Sequence, residues 1–317
     1  MADVRTDISP FVPEVVEPDA GLSPAPASRT FWADAWRRFL ANKAALISLI
    51  VLLTAAVMST FAPLFTHWDP MAYNLHPSQW YQAPSGAHWF GTDSLGRDMY
   101  ARVLYGTRGP LGTAIAGSIL CTVLGAVLGV VAGLYGGWID SILNRITELI
   151  WVVPGFILLI LFIALYGRAL DGILGPAGRY VMVTIFLATD GWPLIMRIAR
   201  AETLRLRESP FIEATEVVGG TRAGMIRRHF LPNMLGILFV QGALLVPGFI
   251  FTTSALGFLG LINPLVPDLG LLINQSATFL QMDATPTLVT VSVITVLILA
   301  ATFLGDGLRD AFDVRTN

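Results

Sequence analysis

Six apolar segments, near residues 44–65, 110–134, 149–166, 180–196, 233–262 and 286–304, dominate this 317-residue chain. Each approaches or exceeds the roughly 17–25 residues that a helix needs to cross a bilayer core. Within them Asp190 is the one Asp, Glu, Lys or Arg. Hydrocarbon offers the backbone no hydrogen bonds, so such segments must satisfy their own, and a helix does so within one segment. The expected fold is therefore an all-α polytopic membrane protein with six transmembrane helices. Composition agrees: 54% of the residues are hydrophobic and 13% charged, against roughly 25% charged in an average soluble domain. The fourth segment is short and contains Pro193, and the fifth is too long for one straight span. Pro247–Gly248 predicts a kink or break inside it.

Basic residues set the orientation. With the N-terminus inside, 15 of the 20 Lys and Arg residues fall on the cytoplasmic side, so both termini are expected there. Segment 66–109 is then external, and Trp68, Trp80, Tyr81, Trp89, Phe90, Tyr100 and Tyr105 predict that it lies along the membrane interface. Residues 29–43 read as an amphipathic lead-in helix on the inner leaflet, with Trp32, Trp36, Phe39 and Leu40 on one side and Arg37, Arg38 and Lys43 at the other. Residues 1–28 place Pro10, Pro13, Pro18, Pro24 and Pro26 among acidic side chains, which predicts a disordered cytoplasmic tail. That tail lacks the pattern of a cleaved signal, so the first apolar run is expected to be retained as a span. Residues 44–317 form the transmembrane domain.

Several function classes are disfavoured. A net charge of −2 gives no basic face for nucleic acid. Cys121 is alone, which rules out an intrachain disulfide and a cysteine zinc cage. A phosphate-binding Walker A loop needs Gly-Lys-Ser/Thr, and the single lysine, Lys43, follows Asn42. His67, His76 and His88 share one segment at spacings that fit no standard metal pattern. Asp190, at membrane depth, is a functional candidate by position.

The internal segment 197–232 is the longest cytoplasmic stretch between spans and the most basic. From Glu213 to Asn233 it reads EATEVVGGTRAGMIRRHFLPN. Small residues on a short helix can enter a partner's groove, Gly219 permits a tight reversal, and Pro232 suits an opening helical turn. This stretch resembles the EAA loop of importer permeases of the ATP-binding-cassette class. Glu213, Ala214, Gly219, Leu231 and Pro232 fall at the matching positions, with Thr215 in place of the second alanine. Arg228, His229, Leu231, Pro232 and Asn233 resemble the loop ending of the dipeptide/oligopeptide branch.

Three further stretches are similar to the C-type subunit of that branch: FGTDSLGRDMYARVLYGTR (90–108), SALGFLGLINP (254–264) and LGDGLRDAFD (304–313). WRRFLANKAAL, in the lead-in, carries the same branch's Asn-Lys-x-Ala-Leu. Taken by itself, GTDSLGRD reads as a rigid turn held by an internal Asp–Arg pair. The resemblance implies type I importer permease architecture and a non-enzymatic transport subunit of the bacterial inner membrane. It also implies a second, B-type permease subunit, two cytoplasmic ATPases that bind ATP and Mg, an external substrate-binding protein, and no cofactor in this chain. Peptide cargo is implied first, and nickel, glutathione, opine or sugar cargo second. Departures at Asp190, Thr253 and Ile262 bear on cargo rather than architecture. A self-sufficient secondary transporter is the alternative class, but such carriers usually hold several ionisable groups at mid-membrane.

For the substrate path the sequence nominates Asp190 and, on the fifth span, Gln241, Phe249, Thr252 and Thr253. Helical spacing allows one face to carry the fifth-span group, giving apolar surface with sparse hydrogen-bonding groups.

Overall fold

The computed structural model describes residues 31–210, 212, 215, 219 and 221–313. The expected tail 1–28 lies outside them. Helix α1 (Phe31–Ala41) leads into α2 (Lys43–Thr60), and Asn42 between them caps α2 by accepting from the Ala45 N–H at 3.2 Å. There follow α3 (Met99–Gly106), α4 (Arg108–Tyr135), α5 (Gly137–Val152), α6 (Gly155–Leu174) and α7 (Gly178–Arg207). Then come α8 (Leu231–Phe258), α9 (Leu269–Ala277) and α10 (Thr285–Phe312). Among the described residues the only β-type pairing is an isolated bridge between Thr92 and Asp98.

Among the described residues five stretches are long and apolar enough to cross a membrane: Lys43–Thr60, Met99–Tyr135, Gly155–Arg207, Ile226–Phe258 and Thr285–Phe312. The third contains two helices, α6 and α7, which turn back on one another at Gly175 (φ 70°) and pack side by side. Two expected boundaries move, and the fifth span runs on through its proline. The segment read as 149–166 is split at Val153–Pro154, because proline lacks an N–H and pushes the residue before it into extended backbone, and Val153 sits at φ −89°, ψ 130°. Residues 149–152 thus end α5, and the apolar helix is α6. The internal loop expected from 197 begins later, since α7 continues to Arg207. Pro247 lies inside α8 without breaking it.

The tightest seam joins α4 to α7. Gly125, Gly129 and Gly133 recur every four residues along α4, the small-residue spacing that lets membrane helices approach closely. A Cβ added to them would lie 2.6 Å from Ile195 Cβ, 2.5 Å from Ala199 Cβ and 2.7 Å from Thr203 Cβ respectively. Helix α8 packs on α4 and α10, and α10 packs on α2.

Contacts define two ends. At the loop-bearing end, residues 66–107 meet 259–284. Buried Asp268 anchors it, accepting from the N–H groups of Gly270 (2.8 Å) and Leu271 (3.2 Å) and from the Tyr180 hydroxyl (2.9 Å). Burial pushes its carboxyl up to about 6. At the opposite end α1 lies against α10. Phe39 is buried there with Ala45, Leu308 and Ala311, and Arg38 Nη1 donates to the Asp313 carbonyl at 2.8 Å. Trp32, Trp36 and Leu40 stay exposed. The apolar side expected of α1 therefore divides, with Phe39 inward and the other three outward.

Candidate functional site

The described residues between 208 and 233 sit at the same end as α1. Glu213 and Ala214 lie outside the described residues; Ile212 and Thr215 are helical. Ile212 (1% exposed), Met225 and Phe230 are buried and pack with Leu206, Met234 and Leu238, which fastens the segment onto α7 and α8. Gly219 adopts φ +88°, and nothing lies within 4 Å of where its Cβ would be. The glycine is thus required by backbone geometry, not by crowding. Thr221 Oγ1 accepts from the Gly224 N–H at 3.2 Å and caps the short helix Arg222–Met225.

The next turn, Ile226–Phe230, is π-helical, and Leu231 N–H donates to Ile226 O. Pro232 supplies the cause. It cannot donate to the carbonyl four residues back and its ring would clash there, so the widened turn accommodates it. The proline therefore shapes the turn before α8. Leu231 is half-buried, while Arg227, Arg228, Pro232 and Asn233 join Gly219 and Thr221 on the exposed surface.

This end is tied firmly to the bundle. Arg200 on α7 makes a two-pronged ion pair with Asp140 on α5, with both N···O distances 2.5 Å. Those hydrogen bonds hold the Asp140 carboxyl below the ordinary carboxylate range. The Arg197 guanidinium lies 4.1 Å from the Trp151 ring centroid and donates to Thr147 Oγ1 at 3.2 Å. With the glycine seam, these contacts make α4, α5 and α7 one mechanical unit.

The path residues nominated from the sequence separate into two groups. Asp190, Phe249 and Thr252 line one 260 Å³ cavity between α6, α7 and α8. Thr253 does not reach it; it is fully buried and donates to the Phe249 carbonyl at 2.9 Å. Gln241 lies two turns earlier, next to Gly242, which packs on Thr122. Helical spacing alone could not reveal that Thr253 faces a neighbouring helix and Thr252 the cavity.

At the loop-bearing end the GTDSLGRD stretch is a turn built on Asp93. Its Oδ1 accepts from the Leu95 and Arg97 N–H groups at 2.9 and 3.0 Å, and its Oδ2 from Arg97 Nε at 2.7 Å. The expected Asp–Arg pair is present, and Arg102 joins the same carboxylate. Gln275 Oε1, on α9, accepts from Arg102 (2.8 Å) and Arg97 (3.2 Å). Asp98 caps α3 and pairs with His88 Nδ1 at 2.8 Å. Sequence reasoning missed Gln275, since nothing local marks it.

Comparison with known proteins places this architecture. Residues 125–317 match the family of binding-protein-dependent transport system inner membrane components, and residues 30–84 match the N-terminal transmembrane domain of oligopeptide transport permease C. The oligopeptide transport system permease protein OppC of Escherichia coli (strain K12) is 35% identical over 291 residues, covering 90% of this chain and 91% of that protein. The dipeptide transport system permease protein DppC of Alkalihalophilus pseudofirmus is 34% identical over 283 residues, covering 89% of each. Among solved structures, a chain of the MetNI methionine ABC transporter, in inward-facing conformations, matches with a TM-score of 0.50. It is 20% identical, and the match covers 67% of this chain and 97% of that one. The α-helical membrane bundle and these matches make the chain a member of the binding-protein-dependent transport system inner membrane component family, a multi-pass permease subunit of the ATP-binding-cassette importers.

Proposed function

We propose that this chain translocates peptides across the bacterial inner membrane as the C-type permease subunit of an ATP-driven importer. The observation that carries the reading is the segment around Gly219, with its positive φ, exposed basic rim and packing of Ile212, Met225 and Phe230 onto α7 and α8. On this reading residues 210–222, including Glu213, Ala214 and Thr215 and with Gly219 at the turn, receive a cytoplasmic ATPase. Leu231 and Pro232 form the base of that element. Two such ATPases bind ATP and Mg, a B-type permease subunit completes the path, and an external binding protein delivers cargo. Six crossings with both termini cytoplasmic fit the packing of α1 against α10 at one end, and the outward Trp32, Trp36 and Leu40 suit a helix resting on the inner leaflet. Asp190, Phe249 and Thr252 form part of the path. Gln241 and Thr253 support it from the helix interior.

The test uses two substitutions at Gly219 in the assembled importer. Asparagine tolerates positive φ far better than a β-branched residue, and the open space around the Cβ removes packing from the comparison. Gly219→Asn should retain most peptide uptake, and Gly219→Val should lose it together with ATPase association. Equal uptake in both would refute the docking role.

A further inference from the structure

Asp190 is placed where a carboxylate at membrane depth is hard to explain by packing. It lies 12 residues into α7, about 18 Å along a helix rising 1.5 Å per residue. Opposite it, Pro154 caps the start of α6 and Gly155 is that helix's first residue, and a Cβ on Gly155 would collide with the Asp190 carboxylate. The missing side chain makes the room that Asp190 occupies. Asp190 is exposed on the surface of the chain and has no hydrogen bond or ion pair among the described residues. A charged group at this depth faces a water-filled space or an opposite charge, not lipid.

The space it faces has a definite chemistry. The 260 Å³ cavity is walled by the rings of Phe156, Phe186 and Phe249, with the Thr252 hydroxyl as its other polar side chain and no basic residue. Thr252 donates to the Gly248 carbonyl at 2.9 Å, so its oxygen is left to accept. Aromatic faces attract cations, and a carboxylate supplies the counter-charge. An inorganic cation would want more oxygen ligands than one carboxylate and one hydroxyl provide. We propose that Asp190, Thr252 and these three phenylalanine rings form a binding site for an organic ammonium group in transit. The ammonium could be the free N-terminus of a peptide or a lysine side chain. The inference rests on the peptide-import reading for its cargo, but the electrostatics of the cavity stand apart from it.

Two measurements on the assembled importer test this. In the first, Thr252→Cys on a Cys121→Ala background is reacted with a cationic and an anionic thiol reagent of equal size. The cationic reagent should react about tenfold faster, as expected for a carboxylate lining the same partly desolvated cavity, and Asp190→Asn should bring the ratio near one. An unchanged ratio, or no reaction in either the resting or the ATP-trapped state, would overturn the proposal. So would a preference for the anionic reagent, which would mean that a basic residue of the second permease neutralises Asp190. In the second, uptake is compared for a tripeptide with uncharged side chains and a free N-terminus, its N-acetyl form, and an N-acetyl peptide containing lysine. Asp190→Asn should reduce uptake of ammonium-bearing peptides about tenfold more than that of the ammonium-free N-acetyl form, and Asp190→Glu should restore selectivity. The free and lysine arms separate the two sources of the ammonium. Equal losses on all three peptides would make Asp190 a structural residue. If the wild-type importer takes up no peptide at all, the cargo reading fails while the reagent ratio still decides the site.

Discussion

Gly129→Ala adds one methyl group to the centre of the α4–α7 seam. Its Cβ would lie 2.5 Å from Ala199 Cβ, 2.5 Å from Met196 O and 2.9 Å from Arg200 N. Two of these neighbours are helix backbone and cannot rotate away. Ordinary contact begins near 3.4 Å, so the helices must part by about 0.9 Å (3.4 − 2.5) at this point. A gap of that size forfeits a quarter to a half of the dispersion energy of the neighbouring contacts, and overpacking of this kind costs about 1–3 kcal/mol. The backbone clash puts the expected loss near the upper end, equivalent to a fall in Tm of roughly 4–8 °C. Gly112→Ala on the same helix is the control, since nothing lies within 4 Å of its Cβ, and helix propensity makes it neutral or slightly stabilising. Thermal unfolding of each purified variant in detergent, followed by tryptophan fluorescence, gives the comparison. If Gly129→Ala melts with the wild type while Gly112→Ala is destabilised, the seam does not hold α7 to α4 as described.

Three more expectations concern other parts of the molecule. Asp268, raised from 3.8 to about 6 by burial, favours folding in its protonated form. Its contribution is fully present below about pH 4 and is lost as pH rises to about 6, by roughly 3 kcal/mol. Asp268→Asn should flatten that part of the stability-versus-pH curve, and an unchanged slope would contradict the assignment. Gln275→Leu removes an acceptor shared by Arg97 and Arg102 and should cost about 1–3 kcal/mol, read as a lower melting temperature; a neutral result would mean that water replaces the amide. Arg200→Ala leaves Asp140 without its two-pronged partner and should loosen α5, seen as faster proteolysis within 137–152 while α4 stays protected.

The architecture was readable because lipid imposes one rule on every span: backbone groups must be satisfied within the segment. Long apolar runs therefore mark helices wherever they occur, and the Gly125–Gly129–Gly133 spacing carries the helix pairing in its own periodicity. Boundaries were less readable where charges or proline confuse a hydropathy window. Arg168 ended the third segment early, yet α6 continues to Leu174 and Asp171 pairs with Arg179 at 2.8 Å. At Pro247 neighbouring helices supply the packing that keeps α8 intact, which a single-sequence rule for proline does not include. The segment 208–233 was legible as a motif, whereas its fastening through Ile212, Met225 and Phe230 onto Leu206, Met234 and Leu238 depends on helices meeting in space. The cavity of Asp190, Phe249 and Thr252 is a product of three helices meeting, so spacing on one helix selected Thr252 and Thr253 alike.

The central claim is that this chain moves cargo by transmitting the work of separate ATPases, and reconstitution tests it most directly. The chain with its B-type partner subunit in liposomes should import no labelled peptide, with or without a proton gradient. Adding the two ATPases, MgATP and the binding protein should produce uptake that stops when ATP is withheld. Uptake by the permease pair alone, driven by an ion gradient and indifferent to ATP, would contradict the account.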